Sequence, residues 1–248
     1  MMPGRTLVIG TEVRIVLSIA RSLGRHGIPV DVMPAAPGER IPRSRWIHAP
    51  WPASDRAARS GDMADDLLDR VNQGGHDHVV VTSDSGLRLI HRCHAELPET
   101  LRHRVAQPGV IAGVLDKAES ARIARRAGLA VPSTWTLPDA EALTEREPEL
   151  RFPLIAKPAD KRISEPFKVR YFETADALRA AFASDPAFGH NLLFQEFAAG
   201  EGIGLEVVMH EGRALAAFQH RRIRELPWAG GISVVAESEA VDPALLEE

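Results

Sequence analysis

The sequence predicts an α/β fold in the first part of the chain and an α+β fold with a mainly antiparallel sheet in the second part. A strand, a helix and a second strand follow one another within residues 6–33, and closely spaced strand candidates begin at residue 152. The 248 residues, 44% of them hydrophobic and 26% charged, are typical of a globular protein and are enough for two cores.

The first predicted domain begins with a β-α-β unit. Thr6–Gly10 is a short apolar strand, apolar residues recur at helical spacing from Val13 to Leu23, and Ile28–Met33 is a second apolar strand. The helical crossover between the strands implies that they are parallel. Residues 6–33 carry no Gly-x-Gly-x-x-Gly, so we do not expect a dinucleotide site in this unit.

The same domain is expected to continue to about residue 110. An amphipathic helix includes Leu67 and Val71, and Val79–Thr82 reads as a buried strand before another helix. His76–His78 follows two glycines and is predicted to be a turn. Ser83 stands between strand and helix and is predicted to contact a substrate or to cap the helix, since no His and acid pair with it as a nucleophile would require.

The next helix begins at Asp116 and ends before Gly128. Lys117 stands in its first turn, where a positive charge opposes the helix macrodipole by about 0.3–1 kcal/mol. Either solvent screens this charge or a nearby anion compensates it.

Strand candidates separated by short connections dominate the second part of the chain. They are Phe152–Ala156, Val169–Phe172, Leu192–Gln195, Gly204–Met209, Ala214–Phe218 and Ile232–Val235, with one helix around Leu178. Gly212 can supply the positive φ of a hairpin turn. We expect one antiparallel sheet from residue 192 to 235.

Charge and cysteine content exclude several classes of protein. Thirty basic and 34 acidic side chains give a net charge of −4, so no global positive field is present to hold a nucleic acid. No apolar run reaches the roughly 18–20 residues of a membrane span. Cys93 is the single cysteine, which excludes an internal disulfide and makes a reducing cytoplasm the expected location.

Lysine is rare in this chain. The 30 basic residues include only Lys117, Lys157, Lys161 and Lys168 as lysines. An ammonium is a compact charge that fits between phosphate oxygens, whereas a guanidinium is a broad planar fork. A lysine at a given position in this arginine-rich chain therefore suggests that a compact positive charge is needed there.

Four segments of the second part follow the order of a known nucleotide site. They are Pro153–Pro158, Leu193–Gly202, Phe218–Pro227 and Ala229–Ser233, preceded by Asp116–Lys117 and Ala127–Pro132. In this arrangement the chain resembles the ATP-grasp superfamily over nearly its whole length, and above all its carboxylate–amine ligase-like members. The resemblance implies a Rossmann-like domain over residues 1–110, similar to the one that precedes the ATP-grasp lobes of biotin carboxylase, carbamoyl-phosphate synthetase and D-alanine ligases. It implies a linker helix and first lobe over 111–190 and an incomplete second lobe over 191–248.

The resemblance also implies where ATP binds. Lys157 and Lys117 would hold the phosphates, a hinge at Gln195–Ala198 would meet the adenine edge, and Glu201 would meet the ribose unless it is only an exposed turn acid. Ile155 precedes Lys157 on the same strand face and offers an apolar contact about 6.6 Å away. The implied ATP contacts are Lys117, Ile155, Lys157, Gln195, Glu196, Phe197, Ala198, Glu201 and His220.

The run from His220 to Glu225 would alternate as a strand and send His220, Arg222 and Arg224 to one face. Cationic groups sharing a face are unfavourable unless an anion faces them. We therefore predict that Arg222 and Arg224 are catalytic and hold the transferred phosphoryl group, with backbone N–H groups of Gly230–Ser233 nearby. A solvated basic strand is the alternative.

The chain departs from the ATP-grasp pattern in two places. Residues 158–167 contain no glycine where many members have a glycine-rich phosphate loop, although Lys161 and Arg162 could replace it. The family's magnesium ligands follow the Gly-Gly-x-Ser loop, and we recognise no equivalent among the last carboxylates, which include Glu237 and Glu239. ATP and Mg²⁺ are the implied cofactors, but the chain alone is expected to be catalytically incomplete.

The expected function is activation of a small-molecule carboxylate by ATP as an acyl phosphate, which an amine or a thiol then attacks. The alternative is an ATP-binding module without catalysis, or a truncated protein completed by a partner chain. A third possibility is an α/β binding protein without a nucleotide. An unpaired sheet edge and exposed apolar area would also favour a homo-oligomer.

Overall fold

A computed structural model of the protein describes residues 4–159, 169–185, 188–190, 192–226 and 232–247. Internal contacts divide the chain into two units, Met1–Asp116 and Lys117–Glu248. The domain limits at residues 110 and 190 stay predictions.

The first unit is built on a parallel sheet in the order β3-β2-β1-β4. Its elements are β1 (Arg5–Ile9), α1 (Val13–Arg25), β2 (Val30–Met33), β3 (Ala49–Pro50), α2 (Asp55–Ser60), α3 (Ala64–Gly74), β4 (His76–Val81), α4 (Asp84–Cys93), α5 (Glu99–Arg102) and α6 (Pro108–Leu115). A short 3₁₀ turn, His94–Glu96, follows α4.

Helices cover both faces of this sheet. Leu7 and Ile9 of β1 pack into one apolar core with α3 and α4, whereas Val8 packs into another core with α1. Burial on both sides is typical of a parallel sheet between helices. The α/β prediction is confirmed, and Ser83 caps α4 as expected by accepting a bond from the Gly86 N–H at 3.1 Å.

One local prediction for this unit is wrong. His76–His78 is not a turn but the first half of β4, where His76 pairs in register with Arg5. Gly75, with a φ of 59°, lies directly before it and ends α3. The glycine signal therefore marks the helix end, and pairing with β1 overrides the weak strand propensity of the residues that follow.

The second unit contains two antiparallel sheets. Its elements are α7 (Lys117–Arg126), β5 (Thr134–Thr136), α8 (Ala140–Arg146), β6 (Leu154–Pro158), β7 (Arg170–Phe172), α9 (Ala175–Ser184), β8 (Leu192–Glu196), β9 (Ile203–His210), β10 (Arg213–Leu226), β11 (Ile232–Glu239) and α10 (Pro243–Glu247). A 3₁₀ turn, Glu147–Glu149, follows α8.

The first sheet of this unit has the order β5-β8-β6-β7. One face packs on α8 and α9 and buries Leu154 and Phe194 completely. The expectation of a single sheet over residues 192–235 is wrong, because β8 pairs with β5 and β6. Phe194 explains this pairing, since its ring stacks on Phe182 of α9 with centroids 5.7 Å apart and so holds β8 over the helices.

The second sheet has the order β11-β10-β9. β9 and β10 form a hairpin whose turn has positive φ at Glu211 (48°) and Gly212 (74°), as the glycine signal predicts. The α+β prediction for the second part, with mainly antiparallel strands, is confirmed. Within the described ranges, no helix has the length and apolar character needed to cross a membrane.

Candidate functional site

One face of the β5-β8-β6-β7 sheet carries polar side chains instead of a core. Leu154 of β6 is buried toward the helices, so Ile155 and Lys157 lie on the opposite face. The register places Gln195 of β8 and Tyr171 of β7 beside Ile155 on that face. We call this surface, with Ile155, Lys157, Tyr171 and Gln195, the site face.

Lys157 is held on the site face by consecutive hydrogen bonds. Its Nζ donates to Oε1 of Gln195 at 2.7 Å, and Nε2 of Gln195 donates to Oγ1 of Thr134 at 2.9 Å. Burial, followed by the positive charge of Lys117, lowers the pKa of Lys157 below its usual value. The ammonium is therefore fixed in surroundings that disfavour its charge.

Lys117 reaches the same place from a different element. It is the first residue of α7, and its Nζ donates to the carbonyl oxygen of Pro158 at 2.7 Å. Pro158 directly follows Lys157 at the end of β6, and the effect of Lys117 on the pKa of Lys157 reflects the nearness of the two charges. Two ammonium groups at one strand end are suited to binding an anion.

The segment that follows β8 leaves the sheet through two backbone hydrogen bonds. The N–H of Glu196 donates to the Ser133 carbonyl and the N–H of Phe197 to the Pro153 carbonyl, each at 2.9 Å. Proline has no N–H, so Pro153 cannot bond the Phe197 carbonyl in return. This pairing therefore leaves the carbonyl oxygen of Phe197 without a bond from Pro153.

Two side chains of this site are not indicated by the sequence motifs. Thr134 orients the amide of Gln195, and Tyr171 lies edge-on to Phe197 with ring centroids 6.2 Å apart. Tyr171 is the only tyrosine of the chain, which could have drawn attention to it. Its place opposite Ile155 depends on strand register, which the sequence does not reveal.

The predicted catalytic arginines lie on β10, where the expected alternation of side chains is interrupted. The pairing with β11 is irregular between Arg222 and Arg224, so regular alternation does not carry both side chains to the face of His220. Nη1 of Arg222 forms an ion pair with Oε1 of Glu225 at 3.1 Å, and Arg224 is exposed.

His220 is held against β9. Its Nδ1 lies 3.3 Å from Oε2 of Glu206, and its ring covers Gly204, where a Cβ would collide with the imidazole. Gly204 is thus required for the close approach of this side chain.

Glu201, Glu237 and Glu239 gather around Arg221 of β10. Oε2 of Glu201 lies 3.6 Å from Nη1 and Oε1 of Glu239 lies 2.9 Å from Nε, with Glu237 also in contact. The hydrogen bond with Glu237, followed by the charges of the three carboxylates, raises the pKa of Arg221. No three His, Cys, Asp or Glu side chains in the described part of the chain are placed to hold a metal ion. The residues described therefore do not fit the implied magnesium site.

The structure brings together only part of the predicted ATP contacts. Lys117, Ile155, Lys157 and Gln195 meet around the site face, and Glu196, Phe197 and Ala198 adjoin it at the end of β8. Glu201 and His220 are held by residues of the β9–β11 sheet. The predicted contributions of Lys161, Arg162 and Gly230–Gly231 lie outside the described residues.

Comparison with solved structures shows similarity over almost the whole chain. An L-amino acid ligase from Bacillus licheniformis superposes with a TM-score of 0.65 at 14% identity over 98% of this chain and 57% of its own. A carboxyaminoimidazole ribonucleotide synthase from Aspergillus clavatus complexed with ATP gives a TM-score of 0.66 at 13% identity over 100% of this chain and 61% of its own.

A third similar structure is the biotin carboxylase domain dimer of a 2-oxoglutarate carboxylase from Hydrogenobacter thermophilus, in complex with MgADP, ADP and bicarbonate. It has a TM-score of 0.65 at 14% identity over 91% of this chain and 51% of its own. Comparisons with protein-family models and with curated proteins found no match. The chain spans 51–61% of the length of these three structures, and across that span it shares their fold, an α/β domain followed by part of the ATP-grasp fold.

Proposed function

We propose that the second unit binds ATP and that Lys117 and Lys157 hold its phosphates. The observation that carries this proposal is the meeting of the two ammonium groups at the end of β6, where burial and mutual repulsion disfavour the charge of Lys157. A bound polyphosphate would offset both effects, because its negative charge favours the protonated form of each lysine.

The adenosine half of the nucleotide would extend from these lysines along the site face. Ile155 offers an apolar contact two residues from Lys157, and the carbonyl oxygen of Phe197 offers an acceptor for an amino group of the base. Glu196 belongs to the same hinge and ends β8. Glu201 stays a candidate for the ribose hydroxyls, although here it is paired with Arg221.

We propose further that the protein takes part in the catalysis of a ligase reaction. A carboxylate oxygen of the substrate attacks the γ-phosphorus of ATP, the bond to the bridging oxygen breaks, and ADP leaves. An amine or thiol then attacks the acyl carbon and loses a proton, while inorganic phosphate leaves. Arg222 and Arg224 would stabilise the charge on the transferred group. The fold shared with structures of ligases and synthases supports this class of reaction.

A specific observation favours an ATP-binding module as the second candidate. The carboxylates at the end of β11 are committed to Arg221, so they are not available as magnesium ligands in this arrangement. ADP release in the presence of Mg²⁺ and a set of candidate acids separates the two functions. Release above background favours the ligase, and tight ATP binding without it favours the module.

Titration calorimetry with ATP tests the nucleotide proposal. We expect Lys157→Ala to weaken ATP binding at least tenfold, about 1.4 kcal/mol, because it removes one of the two ammonium groups. Arg14→Ala is the matched control, since Arg14 is a cation with 88% of its side chain exposed on α1. Absence of binding heat for the unaltered protein, or equal affinity for Lys157→Ala, overturns the proposal.

A further inference from the structure

The hydroxyl group of Tyr171 is an unusual feature of the site face. Its oxygen is inaccessible to solvent and has no hydrogen-bond partner within the described ranges. Leaving a buried hydroxyl unpaired costs free energy, and most buried polar groups are paired for that reason. A phenylalanine would fill the same space without this cost, so the hydroxyl requires another explanation.

The position of Tyr171 indicates which ligand would supply the missing partner. β7 pairs with β6 so that Tyr171 lies directly beside Ile155, on the face that also carries Lys157. Its ring is edge-on to Phe197, the hinge residue whose carbonyl receives no bond from Pro153. Tyr171 therefore stands at the end of the site face that the adenosine half of a nucleotide would occupy.

The surroundings of Tyr171 keep its hydroxyl protonated. Burial, followed by the negative charge of Glu225 on β10, raises the pKa of Tyr171 above its usual value. The hydroxyl is thus a hydrogen-bond donor at neutral pH. Nitrogen and oxygen acceptors are plentiful on a purine and a ribose, and a single bond from a positioned donor discriminates well against ligands that lack the acceptor.

We propose that Tyr171 is a positioning residue of the nucleotide site, whose hydroxyl donates a hydrogen bond to the adenosine half of the bound nucleotide. This inference rests on the proposed function, because it requires that a nucleotide occupies the site face. It adds a contact that none of the sequence motifs contains, and it predicts selectivity for adenosine nucleotides over bare polyphosphate.

The first experiment compares the unaltered protein with Tyr171→Phe. We expect the affinity for ADP to fall about fivefold to tenfold, since one hydrogen bond is lost. We also expect the melting temperature without ligand to rise by about 2–4 °C, since an unpaired buried hydroxyl is removed. Ser18→Ala, which removes an exposed hydroxyl on α1, is the control for binding and should leave the affinity for ADP unchanged.

The second experiment uses the fact that the chain has one tyrosine. Protein labelled with ¹³Cζ-tyrosine gives a single ring-carbon resonance that reports on the hydroxyl of Tyr171. We expect ADP to shift this resonance and inorganic tripolyphosphate to leave it in place, although tripolyphosphate should still bind through the lysines.

The outcomes separate this inference from the proposed function. If the unaltered protein binds neither ADP nor tripolyphosphate, the proposed function fails and the inference fails with it. If ADP binds equally to Tyr171→Phe, or if tripolyphosphate shifts the ¹³Cζ resonance as much as ADP does, the inference alone is wrong. A lower melting temperature for Tyr171→Phe would also contradict it, because the hydroxyl would then stabilise the free protein.

Discussion

Lys157 carries a charge that its own surroundings disfavour. A methionine would fit the half-buried site face at lower cost, whereas an ammonium must lose part of its hydration and lie near Lys117. The hydrogen bond to Gln195 holds the charge in place but does not neutralise it. A residue of this kind stores unfavourable free energy that a bound anion releases, so it is better suited to binding than to stability.

His76 in the first unit is also buried, but its imidazole can give up its positive charge and become neutral. Its imidazole is buried, its Nε2 lies 2.9 Å from Oδ2 of the fully buried Asp31, and its ring meets Trp51 edge-on at 5.0 Å. Burial lowers the pKa of His76, although Asp31 acts against this and Arg5 adds to it. The histidine is therefore neutral in the folded protein at neutral pH.

This lowered pKa predicts how stability depends on pH. Above the ordinary histidine pKa of about 6.5 neither state is protonated at this site, and the folded state has its full stability. As the pH falls toward the lowered pKa, the unfolded chain takes up the proton first and stability decreases. We expect the melting temperature to fall less between pH 7 and about 5 in His76→Gln than in the unaltered protein, as measured by circular dichroism.

The control for this prediction is His103→Gln, because the His103 side chain is 68% exposed. Its profile of melting temperature against pH should follow that of the unaltered protein. A difference of 1 kcal/mol corresponds to roughly 2–4 °C in a chain of this size, which is easily resolved. Identical slopes for His76→Gln and the unaltered protein would contradict the assignment.

At the scale of elements, local patterns predicted which segments are strands better than they predicted strand partners. The runs in β1, β2, β6 and β10 are recognisable because their apolar residues and flanking glycines are local signals. β8 was expected in one sheet with the strands that follow it, yet it pairs with β5 and β6. Partner choice depends on the packing of Phe194 over α9, a contact distant in sequence.

The hairpin of β9 and β10 depends on a glycine at a close approach. A Cβ at Gly204 would collide with the ring of His220 on the neighbouring strand. We expect Gly204→Ala to lower the free energy of unfolding by about 1–3 kcal/mol, because the overpacked ring must move. Most of this loss should disappear when Gly204→Ala is made together with His220→Ala.

Urea unfolding of the two single variants and the double variant measures this coupling. A coupling energy of about 0.5–3 kcal/mol between the substitutions is expected for residues in contact. If Gly204→Ala is equally destabilising with and without the His220 side chain, the collision is not its cause. Backbone entropy at residue 204 would then be the better explanation.

For the molecule as a whole, the motifs predict the nearness of the two lysines better than the rest of the site face. Lysine is scarce in this chain and the motifs around Lys117 and Lys157 predict that the two act together, and the structure brings both to the end of β6. The motifs do not indicate Tyr171 and Thr134, because the roles of these residues follow from register across four strands. The irregular pairing after Arg222 could not be foreseen either, since nothing in that run signals a bulge.

ATP should leave a localised pattern of hydrogen exchange if the site lies where we propose. Both lysines and the hinge belong to the second unit, so ATP should slow the exchange of amides at the start of α7 and in residues 197–201. At a concentration one hundred times the dissociation constant, openings that require ATP release should become about 100-fold rarer, which corresponds to about 2.7 kcal/mol. Peptides from the loop between β2 and β3 serve as the internal reference and should not change. Protection confined to the first unit would show that ATP binds away from Lys117 and Lys157, and the proposed site would then be wrong.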